Sequence, residues 1–255
     1  MINYIEIGKP ETPSVLYKYR SWENELHKKI LLENKVYLAS PKSFEDKLDC
    51  NVPENFPNTE QEVFDYICGK LKEEYPQLSR SKRKILAKKL SKESPLSNPK
   101  KRDALNEKFK QEYFSHLGVL SMTEDCDNDK MWCEYANDHQ GICIGFDTNL
   151  LFDCVGGGGH VTYRKKLEPI DFIKDDFYTA YSKNIFQKEE KWKYEKEYRL
   201  KKIWENEVSD EERNVLLPNN CIIEVILGKK ISSMSKKEII AVVKAKHPNA
   251  KIIER

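Results

Sequence analysis

The stretch GVLSMTEDCDNDKMWCEYANDHQGICIGF, residues 118–146, decides the fold class. Its ends, GVLSMT (118–123) and ICIGF (142–146), are short apolar runs bounded by polar segments, the pattern of buried strands. Between them, residues 129–139 are spaced as a helix, with Trp132, Tyr135 and His139 at i, i+3 and i+7 on one face. Toward lower numbers, residues 15–19 read as a buried strand, 23–33 as a helix with Leu26, Ile30 and Leu31 on one face, and 35–39 as a second strand. Toward higher numbers, strands are expected at 160–164, 197–204 and 221–227, then a helix at 235–246 and an edge strand at 251–254. Strands outnumber helices in this half without regular alternation, so the class is α+β with a mixed, mostly antiparallel sheet, not a doubly wound one.

Residues 56–116 read as a helical insertion within a single domain spanning 1–255. Helices are expected at 59–74, 79–92 and 100–116, separated by Pro76, Pro95 and Pro99, with Thr59 and Glu62 as a capping box. The net charge of the chain is only +2, yet the segment from Lys70 to Glu112 carries 14 basic and 6 acidic residues. Arg80, Lys84 and Lys88 fall in one helical row, and Ile85, Leu86 and Leu90 offer a narrow docking face. A basic face of this kind is either a nucleic-acid contact or a solvated surface.

Composition excludes other classes. Hydrophobic residues make up 39% and charged residues 34%, and Leu, Ile, Val and Phe together number 63, too many for a disordered polyelectrolyte. The longest apolar run, residues 239–243, is far too short to span a bilayer. MINYIEIGKP has no basic stretch followed by an apolar one, so no secretory leader and a cytoplasmic location are expected. Seven cysteines without a CxxC pair fit reduced thiols.

Several chemistries lack their motifs. Gly156 to Gly159 sit between strand-like segments rather than in a dinucleotide loop, so they read as a hairpin or loop. There is neither a Walker lysine pattern nor a GxSxG elbow. Glu134, Asp138 and His139 offer metal ligands but more simply form a solvated face, and His139 with Cys143 lacks an activating third group. Two constellations are more specific. One is the aromatic row Trp132, Tyr135, His139. The other is WKYEKEYRL (192–200), where a strand would put Glu195, Glu197 and Arg199 on one face, either as a salt-bridge ladder or as a catalytic wall of two carboxyl groups with separated pKa values.

LYKYRSWEN (16–24), VYLASPKSFEDKLD (36–49), GVLSMTED (118–125), MWCEYANDHQGICIGF (131–146) and WKYEKEYRL resemble, in that order, the bacterial and phage family called domain of unknown function 2971. The likeness runs across most of the chain and skips the basic helices. Glu45 and Lys47 stand where the family usually has Asn and Pro. The order LYKYR, helix, VYLASP and a later E-x-E is also similar to ADP-ribosyltransferase-fold toxins of the DarT type. That resemblance implies Arg20 as an NAD-anchoring arginine, Ser40 as the second-strand serine, Glu197 as the catalytic glutamate and Glu195 as the first acid of the E-x-E. Ser40 is followed by Pro41, so the usual Ser-Thr-Ser triplet is absent.

The expected activity is NAD-dependent ADP-ribosyl transfer or NAD hydrolysis in a bacterial defence or toxin role, with an antitoxin or defence-system partner. Glu195, Glu197 and Arg20 would be catalytic. Arg20, Tyr19, Ser40, Trp132, Tyr135 and His139 would contact NAD, and no metal or membrane is required. An alternative is a nucleic-acid-binding or nuclease-like effector working through Arg80, Lys84 and Lys88. Another is a non-catalytic interaction module. NAD consumption favours the first, divalent-metal dependence the second, and neither would leave the third.

Overall fold

The computed structural model describes residues 12–255, so the opening MINYIEIGKP lies outside the described residues. The main sheet has seven strands. They are β1 (Val15–Arg20), β2 (Leu117–Thr123), β3 (Ile142–Asp147), β4 (Gly158–His160), β5 (Glu197–Ile203), β6 (Ile222–Leu227) and β7 (Lys251–Glu254). Across the sheet they run β7-β6-β3-β1-β2-β5-β4. Every neighbouring pair is antiparallel except β6 with β7, so the fold is α+β and mostly antiparallel, as expected.

Eight α-helices surround it among the described residues: α1 (Glu25–Leu32), α2 (Glu60–Glu74), α3 (Arg80–Glu93), α4 (Pro99–His116), α5 (Asp129–Tyr135), α6 (Thr148–Val155), α7 (Phe177–Ile185) and α8 (Ser233–Lys246). One face of the sheet is closed by α1, α6 and α8, where Leu16, Leu120, Ile144, Leu200 and Val225 share a buried cluster with Leu31, Leu151 and Ile239. The opposite face is divided. Tyr19, Cys143 and Ile226 pack with Trp132 and Ala136, while Leu117 and Val119 pack with Cys50 and Ile185.

The division follows a break in the sheet. β1 and β3 keep register from Val15 opposite Asp147 to Arg20 opposite Ile142, but β1 meets β2 only where Tyr17 faces Thr123. Beyond that pair the Lys18 ammonium donates to the Ser121 carbonyl, a side chain doing the work of a ladder hydrogen bond. The edge of β2 is taken up instead by Ala39, whose N–H and C=O both pair with Val119 at 2.9 Å.

Four expectations need correction. The helix expected at 129–139 ends at Tyr135, and Asn137, Asp138 and His139 follow with φ of 49°, 49° and 66°. This left-handed turn lets the chain reverse directly into β3, and Asn, Asp and His tolerate that region best among residues with a Cβ. The strand expected at 160–164 is two strands, Gly158–His160 on the edge of the main sheet and Thr162–Arg164 paired with Gln187–Glu189. Part of the glycine run is therefore sheet, because a Cβ on Gly158 would lie 2.2 Å from the Arg199 carbonyl oxygen. Finally, α3 docks through Ala87 and Ser91, while Ile85 is left exposed. The capping box at Thr59 and Glu62 forms as expected.

Two glycine substitutions separate close approach from mere helix propensity. A Cβ on Gly141 would meet the Arg20 carbonyl at 2.2 Å and the Ala136 carbonyl at 2.9 Å, whereas Gly69, inside α2, has nothing within 4 Å. We expect Gly141→Ala to destabilise the fold by about 1–3 kcal/mol and Gly69→Ala to stabilise it by about 1 kcal/mol. Urea denaturation of both variants checks this.

Candidate functional site

A cleft of about 670 Å³ opens where β1 and β2 part, within the range of roughly 300–1,000 Å³ usual for small-molecule sites. Lys18 and Arg20 of β1, with Ser121 and Thr123 of β2, form its floor. The turn after Ala39, from Ser43 to Lys47, forms one rim. Tyr135, at the end of α5, and Trp192 stand on the walls, and Lys188, Glu195, Glu197 and Asp49 close the back.

The back wall is a buried ion network. Arg199 is fully buried, and its Nε and Nη2 donate to the two carboxylate oxygens of Glu197 at 2.7 and 2.9 Å. Its Nη1 lies 2.9 Å from Asp49 Oδ1 and donates to the Ile185 carbonyl at 2.6 Å. Lys188 Nζ donates to Glu195 at 2.6 Å and Glu197 at 3.2 Å, and lies 3.5 Å from Asp49. Tyr135 closes the chain by donating its hydroxyl to Glu195 at 2.5 Å.

Burial and partners drive the two glutamates apart. Burial raises the Glu195 carboxyl above the usual range, although Lys188 and Tyr135 pull the other way. Burial would raise Glu197 too, but Arg199 and Lys188 beside it hold it at about 2. Carboxyl groups so separated divide the roles of fixed charge and proton acceptor. At the floor, burial pushes Lys18 well below the ordinary lysine value, with Arg20 beside it adding to the shift, and burial lowers Arg20 to about 10. Among the described residues the Arg20 guanidinium makes one hydrogen bond, to the Tyr19 carbonyl, and no ion pair. Two neighbouring cations of this kind favour an anionic ligand.

The structure brings together only part of the expected set. Glu195, Glu197, Arg20 and Tyr135 all line the cleft. Glu195 comes from a 3-10 turn (Glu190–Glu195), not from a strand, and Lys196 in the left-handed region hands the chain on to β5. Tyr19 touches the cleft but is 2% exposed, with its hydroxyl committed to the Asp125 carbonyl. Trp132 is fully buried and donates to the Cys126 carbonyl, so no ring face is open for stacking. Ser40 spends its hydroxyl on the Phe114 carbonyl and on capping Lys42. His139 is buried against Trp132, away from the cleft, because the chain leaves the helix before reaching it. Arg80, Lys84 and Lys88 lie exposed on α3, outside the cleft lining.

Lys18, Asp49, Lys188 and Trp192 were not singled out by sequence. Lys18 stands two residues before Arg20, and Trp192 opens the motif that carries the glutamates. Nothing local marks Asp49, which reaches the site through long-range packing, or Lys188, which meets Glu195 and Glu197 across the turn that follows it. Trp192 has its indole N–H held by Asp46 at 2.7 Å, which fixes a partly exposed ring at the rim.

Because the folded Glu197 value, about 2, lies below that of free glutamate at about 4.3, its ionisation stabilises the fold above roughly pH 4. That contribution is lost as the pH falls toward the folded value. Glu197→Gln should cost about 3–5 kcal/mol at neutral pH by leaving Arg199 under-compensated, and should flatten the stability profile between roughly pH 4 and 2. Denaturant titrations across that window test it, and unchanged stability would refute a structural role for the pair.

No curated protein and no solved structure matched the chain. The segment from Met131 to Leu200, which carries Tyr135, Lys188, Glu195, Glu197 and Arg199, matches the model of a family described as "Protein of unknown function (DUF2971)".

Proposed function

We propose that the cleft binds NAD and breaks its nicotinamide glycosidic bond, passing ADP-ribose to water or another acceptor in a bacterial defence or toxin setting. The reading is carried by one observation: two carboxyl groups with oppositely shifted pKa values, bridged by Lys188, stand across the cleft from Lys18 and Arg20. The similarity to ADP-ribosyltransferase-fold toxins belongs to this proposal.

The residues divide the work by charge. Arg20 and Lys18 hold the pyrophosphate, and the Trp192 ring offers an aromatic surface to a base. As the C1′–N bond breaks, its electron pair leaves with nicotinamide, which departs neutral and needs no proton. The ionised Glu197 and the network behind it stabilise the oxocarbenium-like ribose. Glu195, with its raised pKa, takes the proton from the attacking water or acceptor as the new C1′–O bond forms.

Glu195→Gln is the cleaner test of catalysis, since Glu197 also holds the fold. We expect it to slow nicotinamide release by at least about 10²-fold, or about 2.7 kcal/mol. The acid limb of the wild-type kcat/KM profile should lie above the ordinary glutamate value of about 4.3, because the base works only when deprotonated. Arg20→Lys keeps the charge but loses the fork, so calorimetry should show weaker NAD binding with little change in Tm. Chromatography for free nicotinamide decides the matter: no release by the wild type, or equal rates in Glu195→Gln, overturns the proposal.

A second reading rests on α3. Arg80, Lys84 and Lys88 are exposed in one row, and no ion pair among the described residues involves them. The row suits a phosphate backbone. Neutralising all three should reduce the slope of log K against log salt by about 2–3 for DNA or RNA. Filter binding without salt-sensitive association would leave α3 a solvated surface.

A further inference from the structure

Beyond the cleft, a second cluster of side chains sits on the opposite flank of α5. Asp129, in the first turn of that helix, and Cys133, one turn later, converge on His139, whose buried ring reaches them from the left-handed turn. His139 Nε2 lies 3.4 Å from Cys133 Sγ and 3.5 Å from Asp129 Oδ1, and all three candidate ligand atoms lie within 4.8 Å of one another. We propose that Asp129, Cys133 and His139 form a zinc site.

The distances agree with the metal's own geometry. Zn–N and Zn–O bonds of about 2.0–2.1 Å and a Zn–S bond of about 2.3 Å at tetrahedral angles put ligand atoms roughly 3.3–3.6 Å apart. Two of the three separations already lie in that range, and the third closes by rotation of the exposed Asp129 side chain. A nitrogen, a thiolate and a carboxylate are a borderline-soft set that suits zinc better than magnesium or calcium. Three protein ligands leave a fourth position for water or a group from a partner.

The backbone is what brings His139 into place. Three successive residues with a Cβ in the left-handed region cost of order 1–3 kcal/mol each. The strained turn is pinned from outside: the Lys230 N–H donates to the His139 carbonyl at 3.0 Å, and a Cβ on Gly228 would lie 2.1 Å from that same oxygen. His139 Nδ1 is buried without a hydrogen-bond partner among the described residues, so the ring is not held there by hydrogen bonding at both nitrogens.

Nearby charges permit a dication. Lys229 Nζ lies 3.4 Å and Arg255 Nη2 3.9 Å from Asp129 Oδ1, and Lys230 pairs with Asp138. A zinc ion bound by one carboxylate and one thiolate is neutral overall, so binding replaces the single negative charge of Asp129 by a neutral cluster, and the half-exposed Lys229 is able to swing into solvent. On binding, the Cys133 thiol proton passes to buffer as the S–Zn bond forms, so affinity weakens as the pH falls.

The test uses the full chain, purified with chelator and titrated with zinc chloride by calorimetry and with cobalt(II) by absorption. One equivalent per chain is expected, and the cobalt form should show a thiolate charge-transfer band with intense tetrahedral visible bands. Cys133→Ser should abolish the charge-transfer band, and both Cys133→Ser and Asp129→Asn should weaken zinc binding by about tenfold or more. These two ligands are exposed, so the variants keep the test valid if His139→Ala fails to fold. No zinc uptake by the wild type, or uptake and cobalt spectra unchanged in Cys133→Ser, overturns the site.

Discussion

The cleft depends on the burial of one guanidinium. Arg199 has no contact with solvent, and an uncompensated charge in that position costs several kcal/mol. Compensation comes from three places: Glu197 two residues away on the same strand, Asp49 just past the rim turn, and the Ile185 carbonyl at the end of α7. Satisfying one side chain therefore draws the rim, the back wall and a flanking helix together. Lys188 extends the arrangement, sharing Glu197 and Asp49 and bringing in Glu195. Burial opposes its charge, yet these three carboxylates hold its pKa above the ordinary lysine value.

A continuous sheet would leave no room for this polar group. The sheet parts after the single pairing of Tyr17 with Thr123, and the exposed backbone is satisfied by two substitutes, the Lys18 ammonium on Ser121 and the Ala39 bridge to Val119. Hydrogen bonding is thereby kept while the strands separate. The opposite face remains a continuous apolar core, so the rigidity of the domain does not depend on the region that opens.

Much of this was legible in the sequence, for reasons that differ by element. The strands β2, β3 and β6 announce themselves as short apolar runs, and Thr59 with Glu62 carries its capping signal within four residues. The expectation that Glu197 and Arg199 share a face follows from the period of two and holds in β5. Glu195 joins them by another route, since the left-handed Lys196 breaks the strand that would have placed it there. The aromatic row failed because its third member lies beyond the end of α5, where three residues that tolerate positive φ reverse the chain. No apolar periodicity encodes such a turn. Asp49 was invisible because its partner Arg199 is far away in sequence, and Lys188 because the turn that brings Glu195 and Glu197 back to it carries no periodic signal.

The helix that separates the cleft from the proposed zinc site is only seven residues long, too short to be stable in isolation. It persists because both ends are tied. Asn128 caps it through Met131 N–H and also donates to the Tyr194 carbonyl at 2.6 Å, beside Glu195. At its other end, Trp132 stacks nearly parallel to His139, and the left-handed turn returns the chain to β3. Tyr135, which holds Glu195, and Cys133, which faces His139, project from this one short element. Ordering the Asp129, Cys133 and His139 side is therefore a way to fix where the Tyr135 hydroxyl stands, and with it the hydrogen bond that opposes the burial-raised pKa of Glu195.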